Sequence, residues 1–84
     1  MDNHVKLNIY KGIIQYLLTS TNYDLRDIAD LSNAPIKNIR SIYYGKKMLL
    51  NPISEIRLVK TYHFILELRS HEYLSGFYHV GVRP

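Results

Sequence analysis

The stretch from residue 24 to residue 45, DLRDIADLSNAPIKNIRSIYYG, constrains the fold of this chain more than any other part. Apolar residues recur in it at helical spacing in two short runs, which Asn33, Ala34 and Pro35 separate. Asp24 is a favourable helix N-cap, and Asn33 accepts the left-handed backbone of a tight turn better than any residue except glycine. The stretch therefore predicts two short helices joined by a tight turn.

Each of the two predicted helices has an apolar inward face. The inward residues are Leu25, Ile28, Ala29 and Leu31 in the first helix, and Ile36, Ile39, Ile42 and Tyr43 in the second. The second helix is predicted over residues 35–44, because Pro35 is tolerated as a first helical residue and Gly45 can end the helix with a positive φ. Its remaining residues, which are polar and expected to face outward, are Lys37, Asn38, Arg40 and Ser41.

This pattern resembles the lambda-repressor-like helix-turn-helix family of phage repressor, Cro and Xre proteins. The matching residues are Ala29 at the family's small-residue position, Asn33 at its turn, Ile39 and Ile42 at the buried positions of its recognition helix, and Gly45, Lys46 and Lys47 at the common ending of that helix. The resemblance covers roughly residues 9–68. The chain departs from it at Leu25, where glutamine is frequent, and at Pro35, where serine or threonine is frequent.

The resemblance implies a small all-α domain of four to five helices over residues 1–75. It also implies a bacterial or phage-encoded transcriptional regulator, cytoplasmic and nucleoid-associated, that binds a palindromic double-stranded DNA operator as a homodimer. The second helix would lie in the major groove. Base contacts are expected from Ile36, Lys37 and Ser41, with Asn38 contacting a base or the backbone. Phosphate contacts are expected from Arg40, Tyr44, Lys46 and Lys47.

The placement of charge agrees with this hypothesis. The chain carries a formal net charge of +4. Residues 35–60 contain six basic residues and one acidic residue, Glu55, so this segment has a net charge of +5 and the rest of the chain −1. The basic residues are Lys37, Arg40, Lys46, Lys47, Arg57 and Lys60. Such a concentration is typical of a surface that meets phosphates, although the same residues could simply solvate helix faces.

The segments on either side are also predicted to be helical. In residues 5–19, one apolar stripe contains Val5, Ile9, Ile13 and Leu17, and an adjacent one contains Tyr10, Ile14 and Leu18. Gly12 within this helix suggests the close approach of another helix. The last helix should begin at Asn51-Pro52 and end between residues 70 and 74, with Gly76 as a stop. Its predicted buried stripe is Ile56, Val59, Tyr62 or His63, and Leu66, flanked by Ile53, Leu58 and Ile65.

In the tail, residues 76–84, the spacing of the apolar residues changes from helical to alternating. Tyr78, Val80 and Val82 alternate with Phe77, His79 and Gly81, which predicts a short C-terminal strand. Such a strand would pair within the chain or across a dimer, and the alternative is a frayed terminus. The apolar residues left over for a dimer interface are Leu68, Tyr73, Leu74, Phe77, Tyr78, Val80 and Val82.

Other functions find less support. Eighty-four residues suffice for one modest core, and the chain has no cysteine for disulfides or thiolate zinc sites. The four histidines lack metal-ligand spacing, and no glycine-rich phosphate loop or activated nucleophile is present, so we expect no enzyme, cofactor or small-molecule substrate. The first residues contain no apolar run that predicts a secretory signal or a membrane span. The main alternative is a helical protein-interaction module, such as an anti-repressor or a polymerase-associated adaptor, that keeps this core without reading DNA.

Overall fold

The computed structural model describes residues 3–81, and the side chains of residues 4–70. Four α-helices follow one another along the chain: α1 Asn3–Ser20, α2 Leu25–Ser32, α3 Ile36–Tyr43 and α4 Pro52–Gly81. No strand occurs within residues 3–81. The predicted all-α fold class is therefore confirmed.

Side-chain caps define the start of α2. The backbone N–H of Asp27 donates to Asp24 Oδ1 at 2.8 Å, and the backbone N–H of Asp24 donates to Asp27 Oδ2 at 2.9 Å. This reciprocal capping box satisfies two backbone donors that the first turn would otherwise leave unpaired. The N-cap predicted at Asp24 is thus confirmed. Helix α4 begins in a similar way, since the Ser54 N–H donates to Asn51 Oδ1 at 2.8 Å.

The cap makes stability depend on pH. The backbone N–H of Asp27 stabilises the carboxylate form and lowers the pKa of Asp24 from its ordinary value. A lowered pKa in the folded state means that the cap stabilises the fold above the unfolded pKa of Asp24, and that this contribution is lost as pH falls through the lower folded pKa. We expect Asp24→Ala to lower the melting temperature at neutral pH and to matter progressively less towards pH 2.

Thermal melts of wild type and Asp24→Ala at several pH values test this expectation. Asp30→Ala is the control, because Asp30 lies exposed on the same helix and takes no part in the capping box. An Asp24→Ala defect of equal size at pH 2 and pH 7 would contradict the ionised cap.

Every helix contributes to one core. The aliphatic side chains with no exposed surface are Ile14 and Leu17 from α1, Ile28 from α2, Ile39 and Ile42 from α3, and Leu58 from α4. Full burial of such a side chain contributes about 1.5–3 kcal/mol. Helix α2 packs on α4 and α3, and α1 packs on α4 and α3. The core therefore lies between α2 and α3 on one side and the long helices that each of them packs against on the other, α4 and α1 for α2 and α1 for α3.

Only half of the predicted apolar stripe of α1 is buried. Ile13 and Leu17 are buried, but Val5 and Ile9 from the same predicted stripe are exposed. Ile14, from the adjacent stripe, is fully buried. A Cβ added at Gly12 would meet nothing within 4 Å, so the close approach predicted there does not occur within the described part of the chain.

The predicted stripe of α4 is wrong in register. Ile56 is 55% exposed and His63 is exposed, whereas Leu58 and Ile65, predicted as flanks, are buried. Val59 and Tyr62 are half-buried and pack against the core, and Leu66 is half-buried. Apolar residues surround most of this helix, so helical spacing alone could not select the side that faces the core.

In α2, a serine takes the place predicted for a leucine. Leu31 is 38% exposed, and Ser32 is fully buried. The Ser32 hydroxyl donates to the carbonyl oxygen of Ile28 at 2.7 Å, which satisfies it inside the core. The other predicted inward residues, Leu25, Ile28 and Ala29, are buried or packed against the core as expected.

The C-terminal strand is also a wrong prediction. Helix α4 continues through Gly76, the predicted stop, and through Phe77, Tyr78 and Val80 to Gly81. A glycine inside a helix costs only about 1 kcal/mol, and a single strand would leave its backbone groups unpaired. The predicted dimer residues Tyr73, Leu74, Phe77, Tyr78 and Val80 have side chains outside the described set, and Val82 lies outside the described residues altogether.

Candidate nucleic-acid interface

The turn between α2 and α3 has the predicted left-handed residue. Asn33 adopts φ 56° and ψ 48°, and its N–H donates to the carbonyl oxygen of Asp30 at 3.2 Å. The Ala34 N–H donates to the carbonyl oxygen of Ala29 at 2.9 Å. These bonds close the end of α2 and allow the chain to reverse within three residues, so α3 starts directly against α2.

Helix α3 begins one residue later than predicted, at Ile36. Pro35 is the N-cap of α3, in an extended conformation, rather than the first helical residue. Its carbonyl oxygen accepts the N–H groups of Asn38 and Ile39 at 2.9 and 3.3 Å. Proline offers no side-chain oxygen, so α3 begins without a side-chain cap.

Helix α3 presents one face to the core and another to solvent. Ile39 and Ile42 have no exposed surface, and Ile36 and Tyr43 pack against the core. Lys37, Arg40 and Tyr44 follow at spacings of three and four residues and are all exposed, Tyr44 by 63%. Asn38 and Ser41 are half-buried at the edges of this exposed stripe.

The start of α4 anchors the turn that orients α3. The buried hydroxyl of Ser54 donates to the carbonyl oxygen of Asn33 at 3.2 Å. Within the described residues α4 packs on α1 and α2 and not directly on α3. This hydrogen bond is therefore a direct link from α4 to the α2–α3 turn, and sequence reasoning missed it because the partners are 21 residues apart.

The chain folds back on itself after α3. Gly45 adopts φ +74°, and its N–H donates to the carbonyl oxygen of Ile42 at 2.9 Å. The Lys46 N–H then donates to the carbonyl oxygen of Ser41 at 2.8 Å. The positive φ confirms the helix end predicted at Gly45, and the turn brings the exposed Lys46 and Lys47 back towards the exposed stripe of α3.

Helix α1 brings a lysine to this turn. The Lys11 Nζ atom lies 3.5 Å from the position that a Cβ would occupy at Gly45. The N-terminal part of α1 also borders a surface groove of about 460 Å³, lined by His4, Leu7, Lys46, Lys47, Met48 and Leu49. Sequence reasoning assigned neither Lys11 nor His4 to the site, because only the packing of α1 against the end of α3 brings them there.

The acidic residue of the basic segment is paired elsewhere. Glu55 Oε2 accepts a hydrogen bond from Lys6 Nζ at 2.9 Å, which joins α4 to α1. The hydrogen bond raises the pKa of Lys6, and burial together with the Glu55 charge raises the pKa of Tyr10 nearby. Glu55 is therefore paired with a cation from α1 and not with one from α3.

The six basic residues of the segment form two groups. Lys37 and Arg40 lie on the exposed stripe of α3, and the α3–α4 turn carries Lys46 and Lys47 beside it. Arg57 and Lys60 are exposed on α4, which does not pack on α3 within the described residues. Four of the six are therefore exposed on α3 or on the turn whose backbone bonds to Ser41 of α3, and we name Lys37, Arg40, Lys46 and Lys47 the basic face.

The described residues show neither of two other kinds of site. Among them, no group of three or more His, Asp or Glu side chains is placed to hold a metal ion. No helix in the described part of the chain is long and apolar enough to span a membrane. Comparison with known proteins adds no relative: no family model, no curated protein and no solved structure matches this chain.

Proposed function

We propose that this protein binds double-stranded DNA in a sequence-specific manner, as a dimeric transcriptional regulator of the lambda-repressor-like helix-turn-helix type. The observation that carries the proposal is the basic face, which combines the exposed stripe of a helix whose other side is buried with a turn whose backbone bonds to that helix. Helix α3 is short, and its opposite side is buried by Ile39 and Ile42. Such a helix can enter a major groove while the rest of the fold supports it from behind.

The exposed residues suit two kinds of DNA contact. Lys37 lies in the first turn of α3 and can donate to guanine O6 and N7. Arg40 and Tyr44 lie further along the same stripe, where a guanidinium and a hydroxyl can bind backbone phosphates. Ile36 is half-buried, so only its remaining exposed part is available to a thymine methyl group. Asn38, also half-buried, can contact a base or the backbone from the edge of the stripe.

Selection of duplexes from a random-sequence pool, followed by gel shifts with excess competitor DNA, tests the proposal. We expect retention of random duplex at low salt and a set of selected sites that resist competition. If the protein retains no duplex at low salt, the proposed function is wrong.

The first variant prediction concerns sequence readout. Lys37→Ala should weaken binding to the selected site by about 1–3 kcal/mol and should weaken binding to random DNA far less. Lys60→Ala is the matched control, because it removes the same charge from an exposed helical position on α4. Gel shifts on both duplexes measure the two effects. Equal losses on selected and random DNA would make Lys37 a phosphate contact instead.

Dimerisation belongs to the same proposal, because a single small module buries too little surface for tight specific binding. Arg69 Nη1 donates to the carbonyl oxygen of Ser20, the last residue of α1, and α4 continues for twelve residues beyond Arg69. This extension contains most of the residues predicted for the dimer interface, and we retain them in the proposal.

Deletion of residues 76–84 tests the dimer. We expect the shortened chain to keep its core, to sediment as a monomer and to lose operator affinity far more than affinity for random DNA. A shortened chain that remains a dimer would place the interface elsewhere, and a monomeric full chain would remove the dimer from the proposal.

One observation favours a second candidate function, a protein-interaction module. Large apolar side chains are exposed on α4: Ile53 by 65%, Ile56 by 55%, Phe64 by 58% and Leu68 by 44%. Exposed apolar side chains on one helix are a common feature of protein-binding surfaces. Phe64→Glu separates the two functions, because it should leave binding to random DNA intact and should abolish a complex that depends on this side of α4.

A further inference from the structure

The hydroxyl of Ser41 is engaged within the chain. It donates to the carbonyl oxygen of Lys47 at 3.2 Å and accepts the N–H of Lys47 at 3.1 Å. A serine hydroxyl has one proton to donate, and here that proton goes to Lys47. A base contact by the same hydroxyl would therefore have to replace these bonds or use the remaining lone pair. The resemblance to the repressor family, in contrast, implied that Ser41 reads a base.

The bonds of Ser41 determine where the turn lies. Its backbone oxygen accepts the N–H of Lys46 at 2.8 Å, and its side chain binds both backbone groups of Lys47. The backbones of both lysines are thereby joined to the residue that follows Arg40 in α3. Gly45 makes this return possible with its positive φ, which side-chain-bearing residues rarely adopt.

We propose that Ser41 is a positioning residue, which holds Lys46 and Lys47 against the end of α3 so that both can bind one stretch of DNA backbone. The inference rests on the proposed DNA-binding function. A turn held in its bound conformation loses less conformational entropy when phosphate binds, so the Ser41 bonds improve affinity without touching DNA. Lys11 lies beside the same turn and adds a third positive charge to it.

Amide hydrogen exchange in the free protein tests the positioning directly. We expect the Lys47 N–H to exchange about fivefold faster in Ser41→Ala than in wild type, because its hydrogen-bond acceptor is gone. Ser41→Thr keeps the hydroxyl and should restore slow exchange. Exchange at Ile39 and Ile42 in the core should be the same in all three chains, which shows that the fold is intact. Unchanged exchange at Lys47 in Ser41→Ala overturns the proposal.

DNA binding then separates a positioning residue from a base-reading residue. A positioning Ser41 predicts that Ser41→Ala weakens selected and random duplex equally, by roughly three- to tenfold, and that affinity depends less steeply on salt. It also predicts almost no further loss of DNA affinity when Ser41→Ala is added to Lys46→Ala/Lys47→Ala, because both changes weaken the same phosphate contacts. Ser41→Thr should bind like wild type.

The contrary outcomes are distinct from failure of the proposed function. A Ser41→Ala chain that loses affinity only for the selected duplex, with unchanged salt dependence and full additivity with the lysine variants, makes Ser41 a base-reading residue and overturns the inference. A wild-type chain that binds no duplex overturns the proposed function and the phosphate role together. In that case the exchange experiment still decides whether Ser41 holds the turn.

Discussion

The affinity of this protein for random-sequence duplex is expected to fall about a thousandfold when salt rises from 50 to 200 mM. Lys37, Arg40, Lys46 and Lys47 are exposed together on the basic face, and two copies would bring roughly six of these charges onto phosphates. Each neutralised phosphate releases counterions, so log affinity should fall against log salt with a slope near −5. Gel shifts or fluorescence anisotropy across a salt series give this slope.

A pair of double variants tests which cations produce the salt effect. Lys46→Ala/Lys47→Ala should weaken all duplexes about equally and flatten the slope. Arg57→Ala/Lys60→Ala removes the same charge from exposed positions of α4, a helix that does not pack on α3 within the described residues, and should leave the slope nearly unchanged. Equal slopes in the two double variants would show that net charge, and not the basic face, attracts DNA. Affinity that ignores salt altogether would contradict DNA binding.

The largest effect on the fold is expected from Ile39→Ala. Ile39 has no exposed surface and lies on the inner side of α3, so truncation should leave a cavity and lower the free energy of unfolding by about 2–5 kcal/mol. Small domains are marginally stable, which makes this a large part of the total. Urea denaturation in the absence of DNA measures the loss, and the slope of the transition shows whether unfolding remains cooperative.

Ile53→Ala is the matched control for this prediction. It removes the same atoms from a helical isoleucine that is 65% exposed, and we expect a change within about 0.5 kcal/mol. A similar loss in both variants would mean that Ile53 is covered in solution, for example by a second copy of the chain. An unchanged free energy of unfolding for Ile39→Ala would mean that Ile39 does not lie in the core.

The local sequence pattern of residues 24–45 predicted most of α2, α3, the turn between them and their caps. Asp24, Asn33 and Gly45 act through their own backbone and the next few residues, so their roles can be read without knowing the fold. The inward positions of α3 were equally clear, because polar residues alternate with isoleucines at helical spacing. Two local predictions were wrong: Pro35 is the N-cap of α3 and not its first residue, and Leu31 is exposed while Ser32 is buried.

The candidate site was only partly predictable. Lys37, Arg40, Lys46 and Lys47 were expected outside and are exposed. Whether they meet DNA is still a prediction. The role of the Ser41 hydroxyl could not be foreseen, since a serine at the edge of a helix can face a base, water or a returning loop. Only the return of the chain at Gly45 supplied Lys47 as its partner.

By itself the sequence determined the all-α class, the caps at Asp24 and Asn33, the helix end at Gly45 and the two sides of α3, because these depend on neighbours a few residues apart. Tertiary structure decided which side of α1 and α4 is buried, since both helices are apolar around most of their circumference and only packing against α2 and α3 distinguishes one side from another. That choice exposed Val5, Ile9 and Ile56 and buried Leu58. It also placed Lys11 beside Gly45 and Ser54 against Asn33, because contacts between distant residues form only when the helices pack together.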